Sequence, residues 1–423
     1  MSQNSLKKRC IVPSKEDENR FVGIKADTDD ALVYFPLGFE LSNNDKDIRR
    51  DILKLFSILN EFKDKSEGHI TKRNFNETIE VNFPINAYME IMYYYMENGY
   101  YMETDPIYKT RERGKINWPK TIKNQKPLLS HNKEKNIYSP VYTLFTVRES
   151  TPNENKEITR INQHCVYESF KRLGWIFTSF MPPKPEGKFN KHQFLIVLND
   201  KLHKTNNDMK KRLFKSMIEM ISFMDEETDK QFRFGTEKFE NVFEKLIDKI
   251  FCNTDKEDFY PRTEWNLQEG GNYPIPYPLQ PDSIMIHKNK VYIIDAKYYK
   301  YGVTHHKEDL PKNSDVNKQI SYGDYINSKH DYDSIYNAFL MPFNKENNDF
   351  NDFNEIFENI GEAVAPWREN KNSYERVQGI LVDVRFLMDN YKSSSKSNIE
   401  KLAIAIEDAY ERNKEKFSKY EGY

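Results

Sequence analysis

Cysteine is scarce in this sequence, and long apolar runs are missing from it. The 423 residues include 3 cysteines, at positions 10, 165 and 252, and no CxxC pair. Neither a disulfide framework nor a zinc knuckle is expected, and the thiols are interpreted as buried or idle. No stretch of about 18 apolar residues could span a membrane, and no apolar run follows the basic residues near the start. These absences predict a cytoplasmic protein with no membrane segment.

Three common signatures of enzyme chemistry are also missing. The chain has no G-x-x-x-x-G-K-[ST], which excludes nucleotide hydrolysis by a P-loop. It has no G-x-S-x-G and no H-E-x-x-H, which removes the usual serine-hydrolase and zinc-protease patterns. An excess of one charge is lacking too, because 64 Lys and Arg face 66 Asp and Glu. Any phosphate-binding surface must therefore be a local basic patch.

The residues that are present predict a folded chain of two domains. Hydrophobic residues make up 38% and aromatic residues 14%, enough for substantial cores. Apolar periodicity predicts helices at about 47–62, 85–98, 160–173 and 205–224, with Lys- and Asn-rich connections at 105–136. Past residue 235 the pattern predicts an α/β fold with a mixed central sheet flanked by helices. We predict an N-terminal α+β domain at 1–205 and a C-terminal domain at 206–423.

The segment 281–297, PDSIMIHKNKVYIIDAK, predicts a β-hairpin. Ser283–Ile286 and Val291–Ile294 are β-prone runs, and the polar HKNK between them suits a turn. Alternation along the second strand puts Asp295 and Lys297 on one face. Asp282 starts the paired strand and is expected to approach Asp295 across the hairpin.

Paired carboxylates beside a lysine indicate metal-assisted phosphodiester chemistry. Two carboxylates at one point repel each other unless a cation lies between them. Oxygen ligands favour Mg²⁺, so we predict that Asp282 and Asp295 bind Mg²⁺ with help from the Ala296 carbonyl. Lys297 would orient a water or stabilise the developing charge. The alternative is a surface hairpin with ordinary solvated charge pairs, but a charge that ends the apolar run VYII needs a purpose.

A helix upstream offers a further carboxylate. Apolar residues at 239, 242, 243, 246, 247 and 250 form one stripe of the segment 237–251. Glu240 and Glu244 border this stripe, one turn apart, and one of them could reach the site as a metal ligand or water-holder. The alternative is an acidic edge that pairs with Lys245 or Lys249.

Downstream, the segment 313–326 predicts a helix that carries Lys318 and Gln319. These two residues are candidates for contacts with the DNA backbone, and ordinary surface positions are the alternative. His305 and His306 resemble a metal pair only in their adjacency. We expect them to be exposed or to contact phosphate.

Asp282 and Asp295-Ala296-Lys297 resemble the motif of the PD-(D/E)xK nuclease superfamily. Longer parts of the chain resemble the LlaJI-type restriction endonucleases and, more distantly, the McrC proteins. The segments that carry this resemblance are FPLGFEL at 35–41, NGYYMETDPIYKTRERGKINWPKTI at 98–122, HCVYESFKRLGWIF at 164–177, FGTEKFENVFEKL at 234–246 and PKNSDVNKQISY at 311–322. One departure is Phe243, where the family pattern has Trp.

The resemblance implies a PD-(D/E)xK nuclease fold for the C-terminal domain and Mg²⁺-dependent cleavage of double-stranded DNA. It assigns the helix carboxylate to Glu244, the metal ligands to Asp282 and Asp295, and the catalytic lysine to Lys297. Gln319 matches the position of a glutamine in the following helix.

The resemblance also implies partners. McrC-like nucleases work with a McrB-like AAA+ GTPase, and such a system includes a cognate DNA methyltransferase. The N-terminal half, with GKINW at 114–118, would then couple the two proteins. Two alternatives stay open: a stand-alone type II restriction endonuclease that recognises DNA itself, and a non-catalytic DNA-binding or assembly protein with a nuclease-like fold.

Overall fold

A computed structural model describes most of the chain. The described residues are 6–14, 20–26, 31–63, 80–81, 84–132, 134, 136–224, 232–350, 353–369 and 371–417. Within these ranges, no helix combines the length and the apolar character that a membrane crossing requires.

Strands and helices alternate along much of the chain. The strands are β1 (Cys10–Ile11), β2 (Val22–Ala26), β3 (Ala31–Tyr34), β4 (Glu80–Val81), β5 (Glu103–Arg111), β6 (Leu128–Asn132), β7 (Ile137–Val141), β8 (Phe145–Asn153), β9 (Phe232–Thr236), β10 (Glu264–Asn266), β11 (Asn272–Pro274), β12 (Ser283–His287), β13 (Lys290–Ala296), β14 (Ser334–Phe343), β15 (Phe357–Val364) and β16 (Arg376–Asp383). The helices are α1 (Asp45–Lys63), α2 (Ile85–Asn98), α3 (Trp118–Asn124), α4 (Glu157–Ser169), α5 (Trp175–Phe177), α6 (Lys191–Lys204), α7 (Asp208–Phe223), α8 (Phe239–Phe251), α9 (Tyr301–Thr304), α10 (Asn313–Lys329), α11 (Val384–Asn390) and α12 (Lys396–Phe417).

A five-stranded mixed sheet forms the centre of the C-terminal region. Its strand order is β12-β13-β14-β16-β15, and its three inner strands run parallel. The edge strands β12 and β15 run antiparallel to their neighbours. This architecture confirms the predicted α/β fold with a mixed sheet. The carboxyl ends of the parallel strands meet at one edge, where binding sites of such sheets commonly lie.

Helices cover both faces of this sheet, and the strand alternation decides which residues meet them. On one face, Ile293 and Ile335 form a buried cluster with Tyr322 and Ile326 of α10. On the other face, the hydroxyl of Tyr292 donates a hydrogen bond to Glu407 of α12. Also on that face, the hydroxyl of Ser283 donates to Asp248 of α8. The central strands are therefore buried on both sides, as expected for parallel strands rich in Val, Ile and Leu.

A second five-stranded sheet joins the N-terminal segment to the C-terminal region. Its order is β1-β3-β2-β9-β4, so β9 lies between two strands from the first eighty or so residues. The chain accordingly divides into unit 1, residues 1–82 and 229–423, and unit 2, residues 83–228. This division differs from the predicted 1–205 and 206–423, because the pairing of β2 with β9 is a long-range contact without a local sequence signal.

Unit 2 combines a helical core with two antiparallel strand pairs. Helices α2, α4, α6 and α7 pack on one another around buried apolar side chains, among them Tyr88, Ile91, Met92, Ile161, Val166, Leu213, Phe214 and Met217. Strand β5 pairs with β8, and β6 pairs with β7.

The strongly periodic elements match the predictions closely. Helix α2 ends at Asn98 before Gly99, and the apolar stripe of α8 is buried as expected. The region 105–136 is not a set of irregular connections, because it contains β6, α3 and most of β5. Strand β5 is mostly polar and β6 has its two exposed leucines side by side, so neither shows the apolar alternation that would have indicated a strand.

Candidate active site

The β12–β13 hairpin aligns the two aspartates of the motif. Its turn residues, Lys288 and Asn289, both have positive φ angles, as the tight turn of a two-residue hairpin requires. Ser283 pairs with Ile294, so the next position of the register sets Asp282 beside Asp295. The amide N–H of Ala296 donates a hydrogen bond of 2.8 Å to Oδ2 of Asp282, which fixes this carboxylate at the end of β13.

Asp295 is buried at the carboxyl end of β13, with 1% of its side chain exposed. Neither of its carboxylate oxygens makes a hydrogen bond of acceptable geometry with a described residue. The compensation comes from charge: Nζ of Lys297 is 2.5 Å from Oδ2, and Nζ of Lys318 is 3.8 Å from Oδ1. A buried carboxylate with unsatisfied oxygens is costly, so this position has free capacity for a cation.

Lys297 lies between two carboxylates. Its ammonium group contacts Asp295 and also approaches Oδ1 of Asp315 at 3.3 Å. Asp315 belongs to the first turn of α10, where its Oδ2 accepts a hydrogen bond of 2.9 Å from the backbone N–H of Lys312. Burial by itself would lower the pKa of Lys297, but the negative charges of Asp295 and Asp315 outweigh burial and raise the pKa. Lys297 therefore stays protonated.

Burial and neighbouring negative charges raise the pKa values of Asp282 and Glu244. Burial raises the pKa of Asp282 well above its ordinary value, and the charges of Asp295 and Glu244 raise it further. Burial likewise raises the pKa of Glu244, with Asp295 adding to the effect and Lys297 partly offsetting it. Such crowding of carboxylates is the pattern that a bound cation would relieve.

Glu244 is the helix carboxylate that interacts electrostatically with this group. Its charge acts on Asp282, and its own pKa responds to Asp295, Lys297 and Lys318. Glu240 has the weakest effect among the charges that act on Glu244. Across the described ranges, no three acidic, histidine or cysteine side chains converge into a ready-made metal cluster. The role of Glu244 as a metal ligand stays a prediction.

The two candidates for DNA contact occupy different environments. Lys318 has 34% of its side chain exposed and also contacts the ring of Tyr322. Gln319 is fully buried, and both atoms of its side-chain amide lack a hydrogen-bond partner among the described residues. A direct DNA contact by Gln319 would need its surroundings to open, and both DNA contacts stay predictions. His305 and His306 are exposed, and the ring of His305 packs against Phe350 at 4.3 Å.

Sequence reasoning missed Asp315 and Tyr298. Asp315 resembles an ordinary acid in a first helical turn, and only the fold brings it to Lys297. The hydroxyl of Tyr298 accepts a hydrogen bond of 2.6 Å from the amide of Leu37, and its ring packs on Phe239 and Phe243. Tyr298 directly follows Lys297 in the chain, but only the fold shows that its ring packs on α8.

Two comparisons with known proteins give matches. A family model described as LlaJI restriction endonuclease matches residues 21–362. A component of the type II restriction enzyme BsuMI, YdjA of Bacillus subtilis (strain 168), is 26% identical over 274 residues. This alignment covers 61% of the present chain and 58% of the relative, so the chain spans little more than half of that protein's length.

Proposed function

The chain belongs to the LlaJI restriction endonuclease family, whose model covers residues 21–362, and on this premise we propose that it is the nuclease subunit of a restriction system. Its reaction would be the Mg²⁺-dependent hydrolysis of phosphodiester bonds in double-stranded DNA, in a site of the PD-(D/E)xK type. The observation that carries the proposal is the buried carboxylate of Asp295, which lies 2.5 Å from Lys297 and has unsatisfied oxygens.

The donor set fits Mg²⁺. Asp282, Asp295 and Glu244, with the carbonyl of Ala296, offer only oxygen atoms, which are the ligands that this ion prefers. Sites of this kind complete the coordination with water and substrate phosphate, so a full cluster of protein ligands is not required. When bound, the ion would acidify a water and offset negative charge on the phosphate.

The protein's own residues have separate tasks in this proposal. Asp282 is held by the N–H of Ala296, so its carboxylate is oriented before substrate arrives. Lys297 stays charged because its pKa is raised, and it would stabilise the negative charge that develops on the phosphate. Glu244, whose pKa is also raised, would hold the attacking water.

We further propose that the subunit acts with other proteins. The chain carries no P-loop sequence, so any nucleotide-driven step needs a separate subunit, for which a McrB-like AAA+ GTPase is the candidate. A cognate DNA methyltransferase would protect the host DNA. The relative from Bacillus subtilis is described as a component of its enzyme, which supports a division of labour.

A stand-alone type II restriction endonuclease is the second candidate, since that relative is described as part of a type II enzyme. Cleavage of duplex DNA by the purified chain with Mg²⁺ but no partner and no nucleotide would favour it. Cleavage that requires the product of a neighbouring AAA+ gene together with GTP would favour the subunit.

Replacement of Asp295 tests the nuclease proposal in either case. Asp295→Asn keeps the shape of the side chain and removes its charge, so single-turnover cleavage should fall by about 10³-fold or more. The matched control is Asp333→Asn, because Asp333 lies at the start of β14, at the far end of the same sheet, where it accepts a hydrogen bond from Asn289. Undiminished cleavage by Asp295→Asn would remove this residue from the site.

A further inference from the structure

Residues 106–148 carry a charge that the rest of the chain lacks. This segment of unit 2, here named the basic arm, contains ten Lys and Arg residues and two Glu residues. Its formal charge of +8 contrasts with −2 for the whole chain, so the remainder of the protein is acidic. The local basic patch that a phosphate-binding protein of this composition needs is therefore concentrated in one part of the chain.

The fold of the basic arm presents these cations to solvent. Strand β8 pairs along its length with β5, and the segment before α3 adds to its other side through Ile116 and Val147. Thr121, Thr146 and Val147 are the buried positions of this segment, whereas most of its charged side chains are exposed. The exposed cations are Lys109, Arg111, Arg113, Lys115, Lys123, Lys126 and Arg148.

Most of these cations have no acidic partner among the residues that the structure describes. Lys109 and Arg111 share Glu149, at 2.9 Å and 3.1 Å. Arg113, Lys115, Lys123, Lys126 and Arg148 form no ion pair with any carboxylate in the described part of the chain. Unpaired like charges repel one another, and this repulsion is relieved when a polyanion binds.

The β6–β7 hairpin of the basic arm is exposed on both strands. Leu129 is 70% exposed and Tyr138 is 63% exposed, and the ring of Tyr138 stacks on His131 at 4.4 Å. A two-stranded hairpin has marginal stability by itself, so contact with bound DNA would stabilise this one.

We propose that the basic arm is a nucleic-acid-binding surface that holds duplex DNA through its phosphates. Seven of its ten cations are lysines, which are depleted in protein–protein interfaces and are common phosphate contacts. Phosphate contacts carry no sequence information, so the basic arm supplies affinity rather than recognition of a site. The inference rests on the proposed function only in taking DNA as the substrate.

Duplex binding without catalysis tests the proposal. The full chain is titrated onto a labelled DNA duplex in EDTA, so that no cleavage occurs, at several salt concentrations. The test variant combines Lys115→Gln, Lys123→Gln and Lys126→Gln. The control combines Lys392→Gln, Lys396→Gln and Lys401→Gln, which remove the same charge from exposed positions of unit 1.

The arm variant should bind about 10-fold or more weakly, and the slope of log affinity against log salt should become shallower by about 2 to 3. The control should keep the slope of the unmodified chain. Thermal unfolding confirms that both variants fold, as expected for exposed lysines.

The remaining outcomes separate this proposal from the proposed function. If the arm variant and the unmodified chain bind DNA equally well, the proposal for the basic arm is overturned and the nuclease proposal is unaffected. The proposal is also overturned if the arm variant binds DNA normally but no longer associates with a nucleotide-hydrolysing partner, because the surface would then bind a protein. If the unmodified chain does not bind duplex by itself, the proposal for the basic arm fails, whereas the nuclease proposal is decided separately by the cleavage assay of Asp295→Asn.

Discussion

Lys297 and Asp315 form an ion pair, with 3.3 Å between Nζ and Oδ1, that connects the end of β13 to the first turn of α10. The same carboxylate accepts the N–H of Lys312. One acidic side chain therefore helps to begin a helix and also holds the ammonium group assigned to the phosphate.

Asp315→Asn separates these two roles. Asparagine can still accept the hydrogen bond at the start of the helix, but it leaves Lys297 without its second carboxylate. We expect the cleavage rate to fall by about 10-fold, because a looser ammonium group stabilises the developing charge less well. The control is Asp324→Asn on the same helix, where the carboxylate pairs with Arg368 instead, at 2.9 Å. An equal loss in both variants would indicate general damage to α10.

Lys297→Ala should lower the single-turnover cleavage rate by about 10²–10³-fold. Asp282 and Asp295 are unchanged in this variant, so Mg²⁺ should still bind, as a thermal shift in its presence would report. Near-normal cleavage by Lys297→Ala would contradict the assigned role of the lysine. Loss of the Mg²⁺ shift would instead mean that the lysine acts through the metal site.

Asp282→Asn should make the metal-free protein more stable. Burial and the charges of Asp295 and Glu244 disfavour the ionised carboxylate of Asp282, so a neutral side chain of the same shape removes a repulsion. A gain of about 1 kcal/mol or more in the free energy of unfolding is expected without Mg²⁺. Added Mg²⁺ should stabilise the unmodified chain more than the variant. Denaturant titrations with and without the ion measure both effects, and a variant that is less stable in EDTA would refute the prediction.

The lowered pKa of Glu407 predicts that the folded state loses stability in acid. Burial alone would raise its pKa, but the hydrogen bonds from Lys290, at 2.8 Å, and from Tyr292 prevail and lower the pKa. A carboxylate with a lowered pKa in the folded state stabilises that state above the ordinary pKa of Glu. This contribution is lost as the pH falls through the lowered value.

Glu407→Gln should therefore cost about 1 kcal/mol at neutral pH and much less in acid. Denaturant titrations at neutral pH and near pH 3 measure the difference. The control is Glu411→Gln, which changes an exposed residue of the same helix. A cost of Glu407→Gln that did not depend on pH would contradict this assignment.

The parts of the site that the sequence could predict are those built from local signals. The β12–β13 hairpin combines a turn sequence with two β-prone runs, and α8 has an uninterrupted apolar stripe, so each indicates its own structure. The approach of Asp282 to Asp295 follows from the hairpin register alone.

The features that could not be predicted depend on distant pairing or on exposed strands. The pairing of β9 with β2 joins residues about two hundred positions apart, and the local sequence of neither strand indicates which strand it pairs with. Helix α6 has only Phe194 and Leu198 as buried residues, too few for an apolar stripe. Asp315 needed the fold to bring it to Lys297.

Strands β4 and β9 pair antiparallel, with Glu80 opposite Gly235 and Val81 opposite Phe234, although all of unit 2 lies between them in the chain. In connectivity, unit 2 is thus the loop of an enlarged hairpin. Its two ends leave from neighbouring positions, which is the arrangement that tolerates domain insertion. A tight turn in its place would reconnect unit 1 without altering its threading, so exchange or grafting of unit 2 would leave the β12–β13 hairpin and its neighbouring helices in place.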